Sequence, residues 1–141
     1  MRRISFALTF AVAGCSQLGS EGAYAKASEL PPKFHLDCSA PMPAGNQLPE
    51  GTERGFNVAV DLTARKFSVP WHDGQWPLKE VKETEIVFID EFVERGLDNN
   101  PMETMLKFDV PSGDLVYRSI ASARMRLDRS FSASCKVVAN A

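Results

Sequence analysis

Apolar and polar residues alternate with a period of two through much of this chain, a pattern that fits antiparallel sheet and little else. Phe56, Val58, Val60 and Leu62 fall on one face, and Asn57, Ala59, Asp61 and Thr63 on the other. That is the spacing of a strand with one face buried. Thr104, Leu106, Phe108 and Val110 repeat it against Glu103, Met105, Lys107 and Asp109. Pro111-Ser112-Gly113-Asp114 supplies the preset and permissive dihedrals of a reversal, and Leu115 to Ile120 returns as the partner strand. Thr63 to Lys66 reads as a turn into Phe67-Ser68-Val69. Ile86-Val87-Phe88-Ile89 is apolar on both faces and reads as a central strand. Further strands are expected at Lys33–Cys38, around Leu78–Val81, at Ser122–Leu127 and at Phe131–Val138. Asp90 to Gly96 reads as one helical turn, with Asp90 as cap and Gly96 as stop, ahead of an Asn99-Asn100-Pro101 loop.

Seven or eight short strands joined by tight turns predict an all-β fold, an antiparallel meander forming a small barrel or a strongly curled sheet. A two-sheet sandwich is the alternative. The chain is 44% hydrophobic with nine phenylalanines, enough for one modest core. It divides into an export signal and tether over 1–25, a linker over 26–32 that ends in Pro31-Pro32, and a single β domain over 33–141.

The first segment is read as an export signal because Arg2 and Arg3 precede an apolar run from Ile4 to Ala13. That run is about half the ~20 residues of a membrane-spanning helix, so it is expected to be removed or lipid-modified. Two cut sites compete. Val12-Ala13-Gly14-Cys15 resembles a bacterial lipobox, which would make Cys15 the lipidated first residue and tie the protein to an envelope membrane. Ala23-Tyr24-Ala25 is an A-x-A site for an ordinary signal peptidase. Either route places the protein outside the cytoplasm, free in the periplasm or lipid-anchored.

There are three cysteines. Setting Cys15 aside leaves Cys38 and Cys135, which an oxidising compartment would allow to bridge. They would close a loop of 97 residues, from 38 to 135, for which the chain-entropy model gives roughly 4.7 kcal/mol. Cys135 shares a face with Phe131, Ala133 and Val137, so a bridge would staple the first strand to the last and favour closure of the sheet. Two separate buried thiols are the other possibility.

The formal net charge is −2, and loss of Arg2, Arg3 and Glu21 with the first 25 residues makes it −3. Neither value suits nucleic-acid binding. Charge is segregated: Lys79–Asp109 carries nine acidic and four basic residues, whereas Ser112–Ala141 carries Arg118, Arg124, Arg126, Arg129 and Lys136 against Asp114 and Asp128. Arg118, Arg124 and Arg126 could present a basic face to an anionic lipid surface or an acidic protein, or could pair with the acidic strands.

The most unusual local composition is Val69-Pro70-Trp71-His72-Asp73-Gly74-Gln75-Trp76-Pro77. Asp73-Gly74 signals a hairpin turn, and Trp71, His72 and Trp76 could form a rim that stacks on a ligand or enters a partner's cleft. Equally, the indoles could fold over the mouth of the barrel as a rigid turn. There is no phosphate-cradling glycine loop, no H-E-x-x-H, no G-x-S-x-G and no placed serine triad. A non-enzymatic binding module without a cofactor or metal is therefore expected.

Phe108-Asp109-Val110-Pro111-Ser112-Gly113-Asp114-Leu115, with Ser134-Cys135 near the end, resembles the closing pattern of small exported proteobacterial β-meander proteins. That resemblance implies a curled meander. Phe34-His35-Leu36-Asp37-Cys38 and the cysteine pair are also similar to the periplasmic or membrane-bound inhibitors of C-type lysozyme, whose inhibitory loop carries Ser-Gly-x-x-Tyr. Here Ser112-Gly113 is followed by Tyr117, one place later than in that motif. This second resemblance implies an envelope protein or cell-wall hydrolase as partner, met through Ser112, Gly113 and Tyr117. A carrier with a hydrophobic ligand inside the barrel is the remaining expectation.

Overall fold

The computed structural model describes residues 24–41, 48, 53–93, 102–121 and 129–140. Its strands are β1 (Lys33–Ser39), β2 (Gly55–Asp61), β3 (Lys66–Ser68), β4 (Trp76–Pro77), β5 (Glu80–Val81), β6 (Glu85–Val93), β7 (Met102–Asp109), β8 (Asp114–Ala121) and β9 (Arg129–Ala139). All pair antiparallel in one strongly curled half-barrel sheet. A single sheet rules out the sandwich. The strand expected at Ser122–Leu127 lies outside the described residues. Nine strands replace seven or eight because the stretch around Leu78 splits into two short pieces, β4 and β5.

The alternation works as written. β2 buries Phe56, Val58 and Val60 and exposes Asn57 and Ala59. β1 buries Phe34, Leu36 and Cys38, while Leu106, Phe108, Leu115, Phe131, Ala133 and Val137 fill the interior from β7, β8 and β9. No polar side chain is buried among the described residues.

The order across the sheet is β4-β3-β2-β1-β9-β8-β7-β6-β5. The first and last strands therefore meet in the middle of the sheet, with Cys38 directly opposite Cys135 and their sulfurs bonded. The staple exists, but it does not close the sheet. The two ends are β4 and β5, which are consecutive in the chain. Between them, the Leu78 N–H donates to the Arg65 carbonyl at 2.9 Å and the Lys79 N–H to the Val87 carbonyl at 3.1 Å. One short segment thus leaves the β3 side and joins the β6 side. Inside, Phe67 of β3 and Phe88 of β6 meet with ring centroids 5.0 Å apart.

Two expectations in β6 are corrected. The helical turn at Asp90–Gly96 is replaced, as far as Val93, by strand: Asp90, Glu91 and Phe92 pair with Met105, Thr104 and Glu103. A single helical turn closes few hydrogen bonds for the dihedrals it fixes, whereas β7 offers a complete ladder. Nor is β6 central, since beyond it lies only β5. Its unbroken apolar run reflects a β-bulge: Val87 faces Lys107 and Ile89 faces Leu106, leaving Phe88 as the extra residue. An extra residue lets two consecutive side chains turn to the same side, and Phe88 and Ile89 both do so.

The segment read as a linker is part of the domain. Ala27–Glu29 forms one 3-10 turn, and its spacing of three brings Ala27 and Leu30 onto the core. The Ala27 N–H donates to the Glu83 carbonyl at 2.7 Å, Lys26 pairs with Glu83 at 3.4 Å, and Pro32 accepts from the Leu62 N–H at 2.8 Å.

Candidate ligand cleft at the mouth of the half-barrel

The two ends of the sheet differ. At one end, tight turns at 62–65, 82–84 and 110–113 join the 3-10 segment. At the other, β1, β3, β6 and β8 finish and β2, β4, β7 and β9 begin, so the connections between them leave from this mouth. The loop over 69–75 is the one whose structure is described in full.

That loop separates Trp71, which it contains, from Trp76, which follows it in β4. Trp71 turns inward, edge-on to Phe56 at 5.8 Å, to Tyr117 at 5.6 Å and to Phe131 at 5.7 Å. Tyr117 stacks on Phe131 with centroids 5.2 Å apart. Trp71 therefore anchors the loop, although its buried Nε1–H has no hydrogen-bond partner among the described residues. The His72 N–H donates to the Val69 carbonyl at 3.3 Å, and Gly74 turns the chain at φ +82°, a conformation glycine adopts at little cost.

Trp76 is 47% exposed yet held in place. Its Nε1–H donates to the Asp73 carbonyl at 3.2 Å, and the His72 ring lies 5.6 Å from it at 51°. Beneath this pair is a cleft of about 310 Å³, lined by Phe67, Val69, His72, Trp76, Pro77, Phe88, Ile89, Glu91 and Thr104. Its floor is apolar, its rim carries a few polar groups, and its size is at the lower end of small-molecule sites. The bulge at Phe88 creates one wall, because the shifted register points Ile89 and Glu91 into the cleft opposite Leu106 and Thr104.

His72 and Trp76 meet at this cleft, whereas Trp71 and Tyr117 belong to the aromatic cluster with Phe56 and Phe131 and do not line it. Ser112 and Gly113 sit at the opposite end. There the Ser112 N–H donates to Asp109 Oδ2 at 3.0 Å, the Asp114 N–H to Ser112 Oγ at 3.2 Å, and the Gly113 N–H to the Asp109 carbonyl at 2.9 Å. Arg118 is exposed on β8, opposite Met105 and Ser130. Cys15, Arg124 and Arg126 lie outside the described residues. Sequence reasoning missed Glu91 because it placed a helical turn over 90–96, and missed Phe88, Ile89 and Thr104 because a strand pattern does not say which distant residues it will face. No local signal marked the bulge, because Ile86-Val87-Phe88-Ile89 is apolar throughout.

Among the described residues no three His, Cys, Asp or Glu side chains gather as metal ligands would. Comparison with protein-family models, with curated proteins and with solved structures returns no match.

Proposed function

We propose that this is an exported, non-enzymatic binding module that holds its target at the mouth of the half-barrel, over the cleft beneath Trp76. One observation carries the reading: a large apolar ring stands in solvent, yet a hydrogen bond and a tilted imidazole 5.6 Å away hold it above an apolar floor. A surface indole with no partner gains nothing from such fixing, whereas a binding ring loses less freedom on contact when held beforehand. The bridge between Cys38 and Cys135 supports an oxidising compartment. It also leaves Cys15 as the odd cysteine, the residue that would carry lipid in an envelope-anchored form.

Tryptophan fluorescence of the purified domain tests the site, with neutral N-phenyl-1-naphthylamine as the probe. Saturable 1:1 binding that Trp76→Ala abolishes and Ser112→Ala leaves intact is the expected result. If the domain instead slows lysozyme-driven cell-wall lysis, and changing Ser112 or Tyr117 relieves it, the functional surface is the Pro111–Asp114 turn and the cleft reading is wrong. Mass spectrometry of the mature protein from its host reads the N-terminus and any lipid on Cys15.

A further inference from the structure

We propose that the cleft takes a small organic cation: an aromatic or short aliphatic body bearing a protonated or quaternary amine. This deepens the cleft reading above and rests on it. Phe67, Val69 and Phe88 offer a floor without charge. The volume of about 310 Å³ is about twice that of a cavity known to hold benzene, which leaves room for one ring and a head group.

The polar groups at the rim choose the sign of that head group. Among the described lining residues Glu91 is the only carboxylate, and none is a lysine or arginine. The face of the Trp76 indole carries the negative part of the ring quadrupole and attracts cations within about 6 Å. Its N–H is already engaged by Asp73, so the indole offers its face rather than its donor. A carboxylate and an aromatic face on one cleft favour an ammonium group and repel an anion. Thr104, directly opposite Glu91, adds a hydroxyl to the same rim.

The test uses three probes of similar size: benzyltrimethylammonium, neutral benzyl alcohol and anionic benzenesulfonate. The chain has two tryptophans, so the indole N–H resonances in a ¹H–¹⁵N spectrum belong to Trp71 and Trp76, and Trp76→Phe assigns them. Benzyltrimethylammonium should shift the Trp76 signal, saturate at 1:1 and bind about tenfold more tightly than benzyl alcohol. Glu91→Gln should cut that advantage to about threefold or less. Equal or tighter binding of benzyl alcohol or benzenesulfonate at the Trp76 signal overturns the cation preference and keeps the cleft. An unchanged preference in Glu91→Gln overturns it as well. If none of the three probes moves the Trp76 signal at millimolar concentration, the cleft reading falls too. Urea unfolding of Glu91→Gln at the wild-type midpoint confirms that the variant reports binding and not a lost fold.

Discussion

Gly113 lies directly against the backbone of Cys135. The Cys135 N–H donates to the Gly113 carbonyl at 2.8 Å, and a Cβ on Gly113 would stand 2.8 Å from the Cys135 carbonyl oxygen. With φ at +75°, the residue also occupies the left-handed region that side chains avoid. The turn between β7 and β8 is thereby seated on the strand that carries the disulfide.

Gly113→Ala should therefore destabilise the domain by about 2–3 kcal/mol, the left-handed penalty plus the displacement of a ladder strand. Gly74 makes the comparison clean. It has φ +82° but nothing within 4 Å of its would-be Cβ, so Gly74→Ala should cost only about 1 kcal/mol. Urea unfolding of both variants checks the difference, and equal costs would mean that the contact with Cys135 contributes nothing.

The bridge itself closes a loop of 97 residues between neighbouring strands. The Cys38→Ser, Cys135→Ser double variant should lose about 3–5 kcal/mol, mainly through the freedom returned to the unfolded chain. A urea midpoint that does not respond to reductant would contradict this.

The two tryptophans should behave in opposite ways. Trp71→Ala opens a void among Phe56, Tyr117 and Phe131 and is expected to cost about 3 kcal/mol. Trp76→Ala removes an exposed ring and should change stability by no more than about 0.5 kcal/mol. Thermal unfolding separates them, and a large loss for Trp76→Ala would make that ring structural.

The N-terminal segment should act as a strap. Leu30 is 8% exposed within the core cluster, so Leu30→Ala should cost about 2–3 kcal/mol. Amide exchange gives a local reading of the same contact: the Ala27 N–H, bonded to the Glu83 carbonyl, should be protected as strongly as β6. Rapid exchange there would return 26–32 to the status of a linker.

Much of the sheet is written locally. The faces of β1, β2, β7, β8 and β9 follow from the two-residue period, and the Pro111–Asp114 reversal follows from its own turn chemistry. The cysteine partner of Cys38 was legible for a different reason, since three cysteines, one of them in the first fifteen residues, leave few combinations. The cleft was only half legible. His72 and Trp76 declare themselves by composition, but their opposite wall depends on a bulge that shifts β6 against β7 by one residue. Phe88 and Ile89 look the same in a helix, a straight strand or a bulged one, and Glu91 looks like an exposed charge in all three.

The amino-acid order by itself determined which side chains share a face, where the chain reverses and which sulfurs could join, because those depend on neighbours one to four residues away. The tertiary structure alone decided that the first and last strands lie mid-sheet, that residues 76–81 span from β3 to β6, and that Trp71 turns inward while Trp76 stays in solvent. Those outcomes depend on which distant strand supplies each ladder and how far the sheet curls between its two edges. Both are settled by the packing of Phe34, Phe67, Phe88 and Phe108 in one shared interior, where residues far apart in the chain must fit together at once.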